Sequence, residues 1–460
     1  MTRPIASARP SFLQSDRRLA RAAQPIVRFL QVEAAGGILL VVATVAALVW
    51  ANSPWHAGYE SFWSNSIRIE IGAYRFDEDL RHVINDLLMA VFFYVVGMEI
   101  KRELVVGELR DRRAVALPAL AALGGMVVPA LIFAAFNAGG PGAGGWGIPM
   151  ATDIAFALGV VALLGRMVPT AVKVLLLTLA IVDDIGAIVV IAIFYADDIR
   201  PAFLVSALVV TAVAVLMHRV HIIYPPAVAF VGFVMWLLVF ESGVHATIAG
   251  VVMGLLTPAK PFQTELESEH FIEVLENRSD LRVGEVRAAA TLLRGSVSAC
   301  DRLIDSLHPW TSYVIIPLFA LANAGIVLTA DALRHPSEVL IGVAVALVIG
   351  KLVGVVGFSW LCVRLGLGRL PSGVNWGHIV GVGALAGIGF TVSLFITGLA
   401  FDAPNLQADA KIGTLAASIV AASIGTLCFV WTNHRDAAEN AAAASETLWS
   451  SEGSAITSVG

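Results

Sequence analysis

Charged residues are scarce in this chain. They make up 14% of its 460 residues, whereas hydrophobic residues make up 58%. A soluble domain usually contains about 25% charged residues. The composition therefore excludes an ordinary water-soluble fold.

Cysteines are few, and the motifs of soluble enzymes are missing. Cys300, Cys362 and Cys428 lie far apart and match no disulfide or metal-ligand spacing, so we interpret them as apolar packing residues. The sequence has no phosphate-binding loop, metal-ligand cluster or nucleophile elbow. We therefore expect neither an enzyme, nor a cofactor, nor a nucleic-acid partner.

Long apolar runs dominate the sequence instead. Each is long enough to cross a bilayer core of roughly 30 Å, which takes about 20 helical residues. Transmembrane strands would alternate polar and apolar residues over about 10 residues. We therefore predict an all-α polytopic membrane protein with about twelve transmembrane helices. The predicted spans lie near 35–51, 83–100, 114–136, 147–165, 171–195, 201–218, 225–240, 244–258, 310–329, 338–362, 376–400 and 411–432.

The distribution of Lys and Arg predicts the orientation. Twelve spans place both termini on one side, and cytoplasmic connections are enriched in basic residues. The short segment Lys101–Arg113 carries five basic residues. We therefore predict an inner (cytoplasmic) membrane protein whose termini are both cytoplasmic. The basic residues then left on the outer side are Arg68, Arg75, Arg81, Arg200, Arg334 and Lys411.

The membrane domain is predicted to cover residues 31–432. Four segments of the chain lie outside the predicted transmembrane spans. Residues 1–30 are basic and lack a cleavable signal, which predicts a cytosolic tail, and 259–309 form a charged cytosolic loop. Residues 433–460 have the composition of a disordered tail. Isoleucines alternate with charged residues at 67–71, the pattern of a strand. An external hairpin near 66–76 then either joins two copies in a homodimer or lies on its own protein.

Four charged residues fall deep inside predicted spans: Asp153, Asp183, Asp184 and Lys351. Each ionised group at the bilayer centre costs roughly 2.5–3.5 kcal/mol on insertion scales. A buried ion pair that fixes helix packing explains Lys351 and one carboxylate but leaves two carboxylates over. Buried ion pairs are also poor stabilisers, so we favour a functional site.

The adjacent carboxylates suit an exchange of ions. Neighbouring residues on a helix point about 100° apart, so Asp183 and Asp184 do not face one ligand equally. Carboxylate oxygens suit hard cations such as Na⁺, and burial favours the protonated form of a carboxyl group. A group that holds either a proton or a metal ion, but not both, is sufficient for exchange.

Two spans contain signals for a helix interruption. Thr152 and Asp153 compete locally for backbone hydrogen bonds, and the segment 387–391 reads Gly-Ile-Gly-Phe-Thr. Broken helices expose partial charges at mid-membrane. We expect Asp153 to neutralise exposed amides and Lys351 to neutralise exposed carbonyl groups.

Ordered motifs across the chain resemble the NhaA-type sodium/proton antiporters. They cover residues from about 30 to 432 and include Ile84-Asn85-Asp86, Gly97–Glu103, Thr152–Gly159, Asp183-Asp184, Ser242–Thr247, Pro317–Ala320, Asn323–Gly325, Gly350-Lys351 and Gly387–Thr391.

The resemblance implies a fold and a function. The fold is an inverted repeat in which spans four and eleven are interrupted and cross at mid-membrane. The activity is electrogenic, pH-regulated exchange of Na⁺, and of Li⁺ as a further candidate, for H⁺ in a transporter domain. Asp184 and Asp183 would bind the ions, Lys351 would pair with Asp183, and Asp153 with Thr152 would balance the helix ends.

Further matches concern secondary positions. Asp86 matches a secondary acidic residue, and Glu99, Glu103 and His245 match positions linked to the pH response. An ordinary charged helix end explains the two glutamates equally well, and a capping or packing role explains His245. The chain reads Ile304-Asp305 where the family often has Glu before His, and 259–301 is long, so we expect a shifted pH profile.

Two alternatives are weaker. Sodium-coupled solute symport would need a pocket with groups for the solute, and nothing beyond the acidic cluster suggests one. An intramembrane aspartyl protease would use Asp153 with Asp183 or Asp184. The Gly-x-Gly-Asp pattern of those enzymes is absent, and Lys351 would disturb carboxyl groups that must share a proton.

Overall fold

The structure, a computed structural model, describes residues 35–71, 74–110, 112–196, 199–220, 224–261, 295–328 and 334–457. The predicted tail at 1–30 and most of the predicted loop at 259–309 lie outside these residues. The described helices, in chain order, are α1 (Ala35–Ala51), α2 (His56–Trp63), α3 (Leu80–Val105), α4 (Arg112–Asn137), α5 (Ile154–Leu164), α6 (Thr170–Phe194), α7 (Pro201–Arg219), α8 (Pro225–Glu241), α9 (Thr247–Leu256), α10 (Ala299–Trp310), α11 (Ile316–Asn323), α12 (Glu338–Arg364), α13 (Trp376–Ala386), α14 (Phe390–Ala400) and α15 (Pro404–Thr457).

Within the described ranges, seven helices are long and apolar enough to cross a membrane. The number is up to nine if each of two bent helix pairs counts as one span: α1 with α2, bent by 116°, and α13 with α14, bent by 42°. The prediction of an all-α polytopic membrane protein is confirmed. The count of twelve spans stays a prediction, because several apolar helices are shorter than a full span.

The helices run between two ends of one bundle. At the hairpin end, Asn52 donates a hydrogen bond of 2.8 Å to the carbonyl oxygen of Ile326, and Arg200 forms an ion pair of 3.2 Å with Glu241. At the opposite end, Asn375 contacts Asp436 at 3.0 Å. α1 ends at Ala51 next to α2, and α15 begins near the hairpin, since the charges of Arg81 and Glu60 act on Lys411. The start of α1 and the far end of α15 therefore lie away from the hairpin.

A β-hairpin stands at the end of the bundle that α2 also occupies. Strands β1 (Ser66–Ile71) and β2 (Tyr74–Asp79) pair antiparallel, with Ser66 opposite Asp79. The alternating pattern of 67–71 therefore predicted the strand correctly. The hairpin closes directly onto the bundle, since the Leu80 backbone N–H donates to the Asn65 carbonyl oxygen at 3.0 Å.

Glycines allow the closest contacts between helices. On α4, a Cβ atom at Gly124 would strike the backbone of Gly354 on α12. Between α3 and α9, a Cβ atom at Gly97 would lie 2.6 Å from the carbonyl oxygen of Val251. Small residues at such crossings let backbones approach when no hydrophobic effect drives helices together in lipid.

The last helix is longer than its predicted span. It runs from Pro404 to Thr457 and so includes residues 433–457, for which composition predicted a disordered tail. This segment is rich in alanine, the residue with the strongest intrinsic helix preference. Helix propensity therefore accounts for the difference between prediction and structure.

Candidate ion-binding site

The fourth predicted span is broken near its middle. A 3₁₀ helix (Ala143–Met150) ends where Ala151 becomes extended, and α5 begins at Ile154 after an extended Asp153. The Asp153 side chain caps α5, because its Oδ1 accepts a hydrogen bond of 2.9 Å from the Phe156 backbone N–H. The predicted interruption at Thr152 and Asp153 is therefore present.

A second break separates α13 from α14 at residues 387–389. A Cβ atom at Gly387 would lie 2.5 Å from the carbonyl oxygen of Leu347, so only glycine fits this close approach. The Phe390 backbone N–H, at the start of α14, lies 3.3 Å from the Ser418 hydroxyl of α15. The predicted weak point is thus a real helix interruption.

The two breaks meet and satisfy each other's backbone groups. The Asp153 backbone N–H donates to the Ile388 carbonyl oxygen at 2.7 Å. Asp153 Oδ2 accepts from the Thr391 backbone N–H at 3.0 Å and from its hydroxyl at 2.6 Å. The Ser393 hydroxyl donates to the Ile148 carbonyl oxygen at 2.8 Å. Hydrogen bonds between the two breaks therefore hold the ends of four half-helices together.

A buried ion pair lies beside this crossing. Lys351 and Asp183 are both 0% exposed, and Lys351 Nζ donates to Asp183 Oδ2 and to the Met150 carbonyl oxygen. It also lies 3.1 Å from the Thr152 hydroxyl. Lys351 directly follows a π-helical turn (Ala346–Gly350) of α12, and such turns are frequent at functional sites.

Thr152 connects the ion pair to the second break. Its hydroxyl oxygen lies 2.7 Å from Asp183 Oδ2 and 2.9 Å from the Ala386 carbonyl oxygen at the end of α13. A hydroxyl group has one proton to donate, so it donates to one of these acceptors at a time. A change in the charge or position of Asp183 therefore alters the hydrogen bond between Thr152 and the end of α13.

Asp184 follows Asp183 on α6 and is also buried. It is 5% exposed, and neither its Oδ1 nor Oδ1 of Asp183 has a hydrogen-bond partner among the described residues. The charges of Asp183, Glu99, Asp153 and Lys351 all act on the Asp184 carboxylate. The site therefore offers unpaired carboxylate oxygens within a cluster that holds one buried cation.

The secondary predicted residues lie away from the crossing. Asp86 lies in the π-helical turn of α3, where His82, Glu78 and Asp79 are its charged neighbours. His245 lies in the connection before α9, also toward the hairpin end. The structure does not bring either residue to the Asp183–Lys351 pair.

Glu99 and Glu103 lie toward the opposite end of α3. Glu103 is 3.7 Å from Arg102, which agrees with a charged helix end. Glu99 is half-buried, and its charge acts on Asp184. Of the residues matched to a pH response, Glu99 is thus the one with an electrostatic link to the site.

Sequence reasoning missed the neutral groups that brace the crossing. Ser393 and Ser418 bond to backbone groups at the two breaks. A neutral serine in an apolar run costs much less free energy to bury than a charged residue, so it does not indicate a functional site. The available signal was that both lie near the middle of predicted spans, one of them an interrupted span.

Interrupted helices that cross at a buried charged cluster define a polytopic membrane transporter of the secondary type. The sequence model of the family described as Na+/H+ antiporter 1 matches residues 27–429. The chain therefore belongs to the Na+/H+ antiporter 1 family, whose members are transporters and not enzymes.

Individual relatives agree over nearly the whole chain. The Na(+)/H(+) antiporter NhaA of Rhodopirellula baltica is 47% identical over 417 residues, which cover 89% of this chain and 94% of the relative. NhaA 3 of Frankia alni is 47% identical over 413 residues, 89% of each protein. NhaA 2 of Sorangium cellulosum is 44% identical over 443 residues, 93% of this chain and 95% of the relative.

Proposed function

We propose that this protein exchanges Na⁺ for H⁺ across the membrane, with Asp183 and Asp184 as the shared ion site. The family assignment supports the activity, and the observation that carries the site is the pair of unpartnered oxygens on adjacent buried carboxylates. Na⁺ binds to Asp184, and Asp183 alternates between Lys351 and the transported charge. Asp153 and Thr152 hold the two half-helices in register.

The ion pair explains how the two ions exclude each other. When Asp183 is bonded to Lys351, the site already contains its own cation. Na⁺ adds a second positive charge to the same low-dielectric space, where repulsion is strong. Binding of Na⁺ therefore requires that Lys351 release Asp183 and that the Asp184 carboxyl group lose its proton, which is the chemical basis of exchange.

The finer features of the transport cycle belong to the same proposal. Exchange moves more protons than Na⁺ ions and is electrogenic, Li⁺ replaces Na⁺, and the groups Glu99, Glu103 and His245 adjust the rate in response to pH. Asp86 is a secondary acidic position on the hairpin side.

The charge distribution supports a location and an orientation for the protein. The end opposite the hairpin carries Lys101 and Arg102 together with Arg110 and Arg112, which favours a cytoplasmic position for this end and for both termini. We place the protein in the inner membrane in this orientation. Two copies associate through the hairpin at the outer face.

A pH-gradient assay in everted vesicles or proteoliposomes tests the function. Added Na⁺ is expected to collapse an acid-inside gradient in the wild type, and Asp184→Asn is expected to abolish this response. Asp402→Asn makes the same chemical change at an exposed position and serves as the matched control. Retained exchange in Asp184→Asn refutes the assigned site, and a wild type without response refutes the activity.

A further inference from the structure

Helix α13, the first half of the second interrupted span, begins with a reciprocal cap that contains a histidine. Asn375 Oδ1 accepts a hydrogen bond of 3.0 Å from the His378 backbone N–H. In return, His378 Nδ1 accepts one of 3.2 Å from the Asn375 backbone N–H. Such a capping box usually has Glu or Gln at the position that His378 occupies.

The same cap attaches α13 to the last helix of the bundle. Asn375 Nδ2 lies 3.0 Å from each carboxylate oxygen of Asp436 on α15. His378 is 3% exposed, and its ring centroid lies 6.2 Å from that of Phe429. A Cβ atom at Gly381 would lie 2.8 Å from Phe429 Cζ, so α13 packs tightly on α15 below the cap.

The cap requires a neutral imidazole ring. Nδ1 accepts a hydrogen bond only when it carries no proton, and a histidine side chain ordinarily has a pKa of about 6.5. Protonation turns Nδ1 into a donor that faces another donor. It also places positive charge at a helix N-terminus, where the helix dipole disfavours it.

The helices packed on α13 differ in the charge that they present to it. On α15, Asp436 is the charged residue that acts on it. On α12, the side chains that face α13 at Gly383 are Leu352 and Val356. The acidic pair of α6 lies at the other end of α13, where Thr152 joins Asp183 to Ala386. A protonated His378 therefore competes with Asn375 for Asp436.

We propose that His378 is a positioning residue for the exchange reaction, whose neutral ring holds α13 so that the Ala386 carbonyl group meets Thr152. Protonation from the end of the bundle opposite the hairpin opens the cap, frees α13 from Asp436 and moves that half-helix away from the crossing. Exchange then slows at acid pH. This inference rests on the proposed function, but the state of the cap is measurable without transport.

Two variants distinguish the effect of losing the cap from the effect of protonating its histidine. His378→Gln keeps a capping-box side chain that does not titrate, and His378→Ala removes the cap at every pH. At saturating Na⁺, the wild-type rate is expected to fall at least about threefold from about pH 7.5, where an ordinary histidine is mostly neutral, to the lowest pH at which the protein stays folded. The rate of His378→Gln is expected to fall clearly less, and His378→Ala is expected to be slow throughout. His56→Gln, at an exposed histidine of α2, is the matched control.

Amide hydrogen exchange of residues 374–386 provides the readout that is independent of transport. After correction for intrinsic rates, the wild-type amides are expected to lose protection as the pH falls, whereas those of His378→Gln keep it. The same pH dependence of protection in both proteins overturns the inference, whatever the transport assay gives. If the protection of residues 374–386 depends on pH as expected but the protein does not exchange Na⁺ for H⁺, only the proposed function is overturned.

Discussion

Asp153 and Thr391 tie the two interrupted helices together through one carboxylate oxygen. Asp153 Oδ2 accepts from both the backbone N–H and the hydroxyl group of Thr391, at 3.0 and 2.6 Å, while Oδ1 caps α5. Three donors therefore converge on one side chain that is 1% exposed. This carboxylate accepts hydrogen bonds from the amide groups of two helix N-termini, whose partial positive charge favours an anion.

Replacing Asp153 with Asn is expected to slow exchange at least about tenfold. The substituted side chain has only one acceptor oxygen, so either Phe156 or Thr391 loses its partner, at a cost of about 1–3 kcal/mol for a buried unsatisfied group. The measurement is the initial rate of Na⁺-driven gradient collapse, normalised to the amount of folded protein. An Asp153→Asn protein as fast as Asp402→Asn contradicts a role for the crossing.

Removing Lys351 is expected to destabilise the protein more than removing the whole ion pair. Lys351→Met leaves the Asp183 carboxylate without its cation, and breaking a buried pair on one side costs about 3–5 kcal/mol. Combining Lys351→Met with Asp183→Asn removes the orphaned charge, so much of that stability is expected to return. Thermal unfolding in detergent checks this order, and equal melting temperatures for the single and double variants contradict it.

Charge and glycine were the features of the sequence that predicted the site. Burying Asp153, Asp183, Asp184 and Lys351 is costly enough that their position in apolar spans already indicated a function. Which oxygen bonds to which donor depends instead on how separate helices cross. Thr152 meets Ala386, 234 residues apart in the chain, and no local pattern encodes that distance.

The parts of the fold that the sequence did not predict have related causes. The π-helical turn before Lys351 differs from an α-helix by a small shift in hydrogen bonding and leaves no compositional signature. Apolar helices such as α9 are shorter than the bilayer is thick, because neighbouring segments bury their ends. Hydropathy alone therefore does not distinguish a full-length span from a shorter apolar helix.

Replacing Gly354 with Ala is expected to destabilise the contact between α4 and α12. A Cβ atom there would strike the carbonyl group of Gly124 and lie 3.1 Å from the Gly125 backbone nitrogen. Overpacking of this kind costs about 1–3 kcal/mol. Gly357→Ala is the matched control on the same helix, since a Cβ atom there meets nothing within 4 Å. Equal melting temperatures for the two variants contradict the tight crossing.

Removing the hairpin is expected to convert a dimer into a monomer. The backbone bond between Leu80 and Asn65 already closes the base of the hairpin, so a Gly-Gly link in place of residues 67–78 keeps the bundle intact. Light scattering in detergent measures the mass. Arg68→Ala, which breaks only an exposed ion pair with Asp77 worth at most about 1 kcal/mol, is expected to remain dimeric. A dimer that survives removal of the hairpin contradicts this interface.

Competition for one site makes a specific prediction about Na⁺ affinity and pH. A proton that occupies the carboxyl group must leave before Na⁺ binds. Above about pH 7, where an ordinary histidine is mostly neutral, lowering the pH therefore raises the half-saturating Na⁺ concentration and leaves the maximal rate unchanged. While the carboxyl group is mostly protonated, each pH unit changes that concentration about tenfold if one proton competes, and about a hundredfold if two do.

The measurement requires a range in which other groups are constant. Rates are collected against Na⁺ concentration above about pH 7, where an ordinary histidine is mostly neutral, so the cap at His378 stays closed. The slope of the logarithm of half-saturation against pH then counts the protons that compete at Asp183 and Asp184. A half-saturating concentration that is independent of pH, with a maximal rate that falls as the pH falls, contradicts a shared site because proton and Na⁺ would then bind at separate places.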